Sequence, residues 1–445
     1  MNTEKSYFTT MIFGCQMNAS DSERLAGQVR QLGYIYTDNL EQADLILIST
    51  CCVRESAEQK TYGRIGDLKR LKQVKSHLII VVTGCMVQKN RADMLKRVPH
   101  VDLLLGTHNL HQLSTYISEI KAKGKPAKPI VAVWEQADEQ VSETPVMRRG
   151  NVSAWVPIMY GCNNFCTYCI VPYVRGRERS RPPADITKEI ADLMKEGFKE
   201  VTLLGQNVNS YGKDLVPSRT FADLLTTIDQ LPGIERIRYM TSHPRDVSDA
   251  MIAAVRDGDH ICEHFHLPIQ SGSNEILKKM NRGYTVEMYR ELITKIRSYL
   301  PHASFTTDII VGFPGEEEEN FQETLNLVQE VRFDAAYTFL YSQRSGTPAA
   351  AMDEQIPQAV KKHRLLRLTE VQTQIGLEIN QQLEGTIVSV LVEGTSKTTP
   401  GIMMGRTRTH KIVLWPGEIG DVGKLINVKI ETAQTWQLKG VKVEG

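Results

Sequence analysis

Six of the chain's eight cysteines fall into two sets of three. The tighter set, Cys162-Asn-Asn-Phe-Cys166-Thr-Tyr-Cys169, has a spacing that suits a cuboidal four-iron cluster. Three thiolates on such a cluster leave one iron without a protein ligand, and an open iron can bind a reactant where a fully ligated one can only carry electrons or hold the fold. Zinc is the rival occupant. Structural zinc takes four ligands, commonly in paired C-x2-C knuckles, and no fourth Cys or His stands close by in the sequence.

The second set is dispersed. Cys15, Cys51 and Cys85 each follow a short apolar, partly β-branched run, over 7–13, 43–49 and 77–83, the pattern of strands buried on both faces. Between the first two runs Ser20 is placed to cap a helix, with Glu23 three residues on to close a capping box and Gly33 to stop it. The segment reads β-α-β-α-β. The carboxyl ends of such strands share one edge of a parallel sheet, the edge where open α/β sheets bind ligands. Three cysteines there can converge on a second cluster, again with one iron left open. Cysteine is also a common core residue, so packing competes with ligation at each position. Cys52 adjoins Cys51, and because successive side chains on a strand point to opposite faces, only one of the two is expected to face a cluster.

These thiols need elements to position them, and the expected fold class is α/β. An amino-terminal parallel-sheet α/β domain spans 1–122, and a linker over 123–147 is rich in Lys, Pro, Ala, Glu and Gln. Over 148–378 six strand patterns, at 155–160, 200–204, 236–241, 264–269, 305–311 and 336–341, alternate with helical stretches, predicting a partial (β/α)6 barrel. One of those helices puts Ile186, Ile190, Leu193 and Met194 on one face, with Gly197 at its end. The compact cysteine set follows the first barrel strand, at the mouth where such barrels work. A long helix over 359–383 leads into a small β-barrel module over 379–445, with strands at 386–393, 411–415, 424–432 and 437–443.

Composition sets the bounds. With 445 residues and a formal net charge of +1, the chain has the make-up of an ordinary globular protein, and any basic surface must be local. Residues 1–10 carry no signal-peptide pattern and no apolar stretch is long enough to span a membrane, so the expected compartment is the reducing cytoplasm, where disulfides are disfavoured. Two basic clusters are candidates for RNA phosphates: Arg175, Arg177, Arg179 and Arg181 just after the compact cysteines, and Arg406 with Arg408 on an expected loop of the β module, beside His410 and Lys411. The alternative for the first cluster is an exposed loop with internal ion pairs, and for the second a solvated loop on a packing module.

Cys162-x3-Cys166-x2-Cys169, with Tyr168 before the last cysteine, resembles the signature of the radical S-adenosylmethionine (SAM) superfamily. Gly14-Cys15-Gln16-Met17-Asn18 with Asp21-Ser22-Glu23, Thr50-Cys51-Cys52-Val53-Arg54 and Thr83-Gly84-Cys85 resemble the amino-terminal motifs of its methylthiotransferases, and the β module is similar to a TRAM domain. Gly14 to Asn18 and the lead-in Asn151-Val-Ser-Ala-Trp-Val-Pro-Ile158 look like the branch that acts on N6-isopentenyladenosine at tRNA position 37, next to the anticodon. Other branches act on threonylcarbamoyl-adenosine of tRNA or on a ribosomal-protein aspartate. Ser49 and His410 stand where the family usually has Asn.

The resemblance implies two 4Fe-4S clusters, one on Cys162, Cys166 and Cys169 and an auxiliary one on Cys15, Cys51 and Cys85, which selects Cys51 over Cys52. It implies two SAM molecules per turnover, one as methyl donor and one cleaved to a radical source that activates adenine carbon 2. Its implied partners are the tRNA anticodon stem-loop and an electron donor such as flavodoxin or ferredoxin, with no membrane. Candidate SAM contacts are Tyr168 and the strand-end polar residues Gln206, Asn207, Ser242, Gln270, Ser271, Asp308 and Arg344. A zinc-containing RNA-binding protein is the reading of a different class.

Overall fold

The structure, a computed structural model, describes residues 5–52, 55–136 and 145–443. Val53 and Arg54 of the second cysteine motif, and 137–144 of the expected linker, lie outside the described residues. The chain divides into two units, one of 1–149 with 160–163 and 170–179, the other of 150–159, 164–169 and 180–445.

In the first unit the apolar runs form a six-stranded sheet of β1 (Tyr7–Phe13), β2 (Ile35–Tyr36), β3 (Leu45–Thr50), β4 (Ile79–Gly84), β5 (Leu103–Leu105) and β6 (Ile130–Ala132). Its order is β2-β1-β3-β4-β5-β6, and every neighbouring pair is parallel. Every residue of β3 and β4 is buried, as expected where a parallel sheet is covered on both faces. The helices α1 (Gln16–Gln31), α2 (Glu55–Val74), α3 (Cys85–Arg97) and α4 (Leu113–Lys123) supply the crossovers.

Helix α1 begins earlier than the capping signal predicts. Its N-cap is Cys15, and Ser20 and Glu23 are buried inside it. The Glu23 carboxylate forms no capping box because it is drawn to the Arg148 guanidinium, 2.9 Å away, a partner too distant in sequence for a local motif to anticipate. Gly33 does follow the helix in a left-handed conformation (φ 86°).

In the second unit the six barrel strands are β7 (Ser153–Pro157), β10 (Glu200–Leu204), β11 (Arg236–Tyr239), β12 (His264–His266), β13 (Ser304–Val311) and β14 (Ala335–Leu340), with the two-residue strands β8 (Met159–Tyr160) and β9 (Arg179–Ser180) to either side of the cysteine loop. They pair in parallel as β7-β10-β11 and β12-β13-β14, and a parallel bridge from Ile237 to Ile261 joins the two halves. Helices α5 (Val171–Arg175), α6 (Pro183–Lys195), α7 (Phe221–Asp229), α8 (Asp249–Asp257), α9 (Asn274–Lys279), α10 (Val286–Tyr299) and α11 (Glu318–Val331) fall between the strands, and all but α5 belong to this unit. On α6, Ile186, Ile190 and Leu193 are buried in one core cluster and Met194 packs against its edge.

After α12 (Gln358–Gln381) comes a closed barrel in the order β15 (Ile387–Thr395), β16 (Ile402–Arg406), β17 (Ile412–Pro416), β19 (Leu438–Val443), β18 (Leu425–Ala433). Strand β16 escapes the sequence pattern because Ile402-Met-Met-Gly-Arg406 lacks β-branched alternation. Gly405 is needed there: a Cβ at this position would lie 2.2 Å from the Leu391 carbonyl oxygen of the neighbouring strand.

The loop between β16 and β17 packs on the amino-terminal ends of the α/β-barrel strands. Arg238 donates to the carbonyls of Thr407 (2.7 Å) and Arg408 (3.1 Å), Arg236 to those of Arg406 and Ser389, and Ser304 to that of Thr409 (2.9 Å). Arg408 reaches back to Glu263 with Nε and Nη2 and to the carbonyls of Asp259 and Ile261. Arg406 pairs with Glu393. Both arginines expected to meet RNA thus carry ion pairs within the unit while keeping 27% and 31% side-chain exposure. His410 adopts φ 66° and stacks on His264 at 4.8 Å; this backbone region suits Asn well and tolerates His, which accounts for the departure at 410.

Arg238 and Glu200 pair at 2.6 Å with 3% and 4% side-chain exposure. Replacing Arg238 by Met strands the buried Glu200 carboxylate and removes two bonds to the loop, so unfolding of this unit should be easier by about 3–5 kcal/mol in a urea titration. Gly84 has φ 105°, and an added Cβ would stand 2.3 Å from the Thr50 carbonyl oxygen. Gly84→Ala should lower stability by roughly 1–3 kcal/mol, read as a lower denaturant midpoint at unchanged slope.

Candidate functional site

Parallel register aligns the dispersed cysteines. Phe13 pairs with Thr50, and Thr50 with Gly84, so one row crosses the carboxyl ends of β1, β3 and β4. Cys51 and Cys85 come one residue after that row and Cys15 two. Neighbouring strands lie about 4.8 Å apart, which confines the three turns to one short edge. The turns are tied together: Asn18 Nδ2 donates to the Thr50 carbonyl at 3.1 Å, and Thr50 Oγ1 to the Thr83 carbonyl at 2.6 Å.

The thiols interact with one another. Cys15 and Cys51 share a hydrogen bond, which with the charge of Arg175 and the amides of Asn18 and Met17 holds the exposed Cys15 thiol down at about 6 against partial desolvation. Cys85 is held down at about 7, first by a hydrogen bond with Cys52 and then, against burial, by Arg175. Cys52 is pushed up by that same bond and by burial. Cys15 caps α1 and Cys85 opens α3, so both also face helix amino termini, which favour thiolate. Cys52 thus stands within this group as a proton donor to Cys85. Among the described residues no three metal-binding side chains are already gathered as around an ion. The donor set nonetheless fits an iron–sulfur cluster: thiols poised to ionise at one sheet edge, Cys51 and Cys85 buried and Cys15 exposed, with a guanidinium beside them.

Arg175 belongs to this group. It is 5% exposed, with Nη1 at 2.7 Å from Asp21 and Nη2 at 2.6 Å from Asn18 Oδ1. Arg181 is also buried, on Glu189 at 2.7 Å and the Pro157 carbonyl at 2.6 Å. The expected phosphate strip is corrected at these two positions, because a buried guanidinium with a carboxylate partner is not available to RNA. Arg177 is exposed and Arg179 half-buried.

In the compact set, Cys162 belongs to the first unit and Cys166 and Cys169 to the second, within eight consecutive residues. The Cys162 amide donates to the Gly176 carbonyl at 3.1 Å, and the Cys169 amide to the Cys166 carbonyl at 2.9 Å. Arg282, fully within the core, donates from Nη1 to Cys166 Sγ at 3.3 Å and to the Tyr168 hydroxyl at 3.4 Å. Nothing in the sequence singled out Arg282.

The barrel mouth holds most of the SAM candidates. Gln206 Oε1, Ser242 Oγ and His243 Nε2 are buried with no hydrogen-bond partner. Such atoms are costly unless something fills the site, so the mouth fits a polar ligand. Burial and the neighbouring Arg282 hold His243 down at about 3, so the ring is neutral. Asn207 is occupied by Asp246 (2.8 Å) and the His243 amide (3.1 Å), orienting the Ser242–His243 turn. Gln270 takes φ 70° and is bonded through its main chain to β13. Ser271 is corrected to a local role, since its fully buried hydroxyl is shared between Thr324 and the Ser273 amide. Asp308 Oδ1 lies 3.6 Å from His266 Nε2, and Arg344 donates to the Tyr168 carbonyl at 3.4 Å.

Three family models match the chain: "Radical SAM superfamily" over 156–328, "Uncharacterized protein family UPF0004" over 5–106 and "TRAM domain" over 381–443. Among solved structures, the radical SAM methyltransferase TsrM of Kitasatospora setae superposes with a TM-score of 0.57 at 13% identity, covering 90% of this chain and 78% of that one. The cobalamin-dependent radical SAM enzyme OxsB gives 0.53 at 15% identity, with 83% and 56% covered. At these identities the likeness is one of fold. A curated tRNA-2-methylthio-N(6)-dimethylallyladenosine synthase of Clostridium botulinum (strain Loch Maree / Type A3) is 53% identical over 97% of this chain and 96% of its own. That of Thermoanaerobacter pseudethanolicus is 53% identical over 98% and 93%. The chain therefore belongs to the radical SAM family of tRNA-2-methylthio-N(6)-dimethylallyladenosine synthases.

Proposed function

We infer that the protein is a tRNA methylthiotransferase that places a methylthio group on carbon 2 of N6-isopentenyladenosine at position 37, beside the anticodon. The observation that carries this reading is the register row that brings Cys15, Cys51 and Cys85 to the ends of three adjacent strands, a set of three thiols additional to that of the radical SAM motif. Adenine carbon 2 has no acidic hydrogen, so proton abstraction cannot activate it. The clusters and SAM, when bound, supply one-electron chemistry at that C–H bond together with the sulfur and the methyl group, at two SAM molecules per turnover.

The chain's own residues divide the work. Cys162, Cys166 and Cys169 would hold one 4Fe-4S cluster, with Arg282 fixing the Cys166 sulfur. Gln206, Ser242 and the neutral His243 offer unpartnered polar atoms to orient SAM. Cys15, Cys51 and Cys85 would hold the second cluster. Arg177 and Arg179 remain the candidates for phosphate contacts near the site, and the TRAM-type β module, with Arg406 and Arg408, is a further candidate RNA surface. The chemistry calls for a low-potential one-electron donor of flavodoxin or ferredoxin type, and for the reducing cytoplasm where tRNA is found. No helix among the described residues is long and apolar enough to cross a membrane.

Cys166→Ala should abolish 5′-deoxyadenosine formation from SAM; continued cleavage in that variant refutes the assignment of the compact set. Cys85→Ala should retain some SAM cleavage yet give no methylthiolated product, measured by mass spectrometry of tRNA nucleosides. In a deletion strain 2-methylthio-N6-isopentenyladenosine should vanish while N6-isopentenyladenosine accumulates, and an unchanged nucleoside profile sinks the substrate choice. Protein purified without oxygen should carry about eight irons and no stoichiometric zinc.

A further inference from the structure

Three thiolates on one sheet edge are mutually repulsive, and the two that are buried, Cys51 and Cys85, cannot stay charged without an opposite charge close by. Arg175 is 5% exposed and hydrogen-bonds Cys85, and its positive charge also acts on Cys15. Its position is over-determined. Asp21 holds one end of the fork at 2.7 Å and Asn18 the other at 2.6 Å, while Asn18 is itself tied to the Thr50 carbonyl that precedes Cys51. The arginine therefore reads the geometry of all three strand ends. A parallel arrangement occurs independently in the other unit, where buried Arg282 donates to Cys166 Sγ at 3.3 Å.

We propose that Arg175 is a positioning residue of the second cluster, holding the Cys85 sulfur and offsetting thiolate charge so that it sets the ease with which that cluster is reduced. The proposal rests on the reading that Cys15, Cys51 and Cys85 hold a cluster. A fixed cation beside a cluster stabilises its reduced, more negative state, because net charge and hydrogen bonds to sulfur are among the determinants of reduction potential. A planar fork suits this task, since it can bond a carboxylate, an amide and a sulfur at once.

The test uses the full chain with Cys162, Cys166 and Cys169 all changed to Ala, so that one cluster remains and paramagnetic-resonance titration reads it alone. If this background binds no iron, the two-cluster reading fails and takes the proposal with it. If it binds about four irons, the arginine is tested by itself. Arg175→Met should then lower the reduced-to-oxidised ratio at a fixed potential at least about tenfold, equivalent to about 59 mV for one electron. Asp21→Asn leaves the guanidinium without its competing carboxylate and should shift the ratio the opposite way. Arg175→Lys keeps the charge but not the fork and should fall between the parent and Arg175→Met. An unchanged ratio in Arg175→Met, or a shift of the same sign in Asp21→Asn, reduces Arg175 to packing and overturns the proposal. Should Arg175→Met fail to retain iron, retention by Arg175→Lys upholds the charge role and loss from both overturns it.

Discussion

The register of β1, β3 and β4 is the constraint on which the amino-terminal site depends. A slip of one residue on any of these strands would send its terminal side chain to the other face of the sheet. The slip is prevented by burial on both faces of β3 and β4 and by the bonds that cross the strand ends at Asn18, Thr50 and Thr83. Gly84 completes the arrangement, because the Thr50 carbonyl comes too close for any side chain there. Backbone pairing in the sheet thus fixes the three strand ends that carry these cysteines relative to one another.

Much of this could be read in the sequence because it follows from short-range rules. Apolar runs ended by cysteine give strands with thiols at one edge, and six repeats of strand and helix give the barrel, so these elements fall within a few residues of where the pattern puts them. What escaped was set by partners distant in the chain. The start of α1 could not be read because Glu23 answers to Arg148, and the fate of Arg175 could not be read because it answers to Asp21. A run of arginines looks like a surface strip until the carboxylates that bury two of them are known.

The same lesson holds for Arg406 and Arg408. Their local sequence is that of an RNA-binding loop, while their side chains meet Glu393 and Glu263. Arg282 shows the converse, a residue without any motif to announce it that ends against Cys166. In both cases the deciding quantity is desolvation: a guanidinium removed from water must find acceptors, and the acceptors it finds fix what it does.

In the joint between the β module and the α/β barrel, main-chain carbonyls of residues 406–409 are gripped by Arg236, Arg238 and Ser304. A carbonyl is present whatever side chain the residue bears. The joint therefore divides its specificity between the residues at the feet of the barrel strands, which hold carbonyls, and the Arg408 side chain, which reaches back to Glu263. A module attached in this way can be remodelled on its outer surface for a different RNA without renegotiating how it is held.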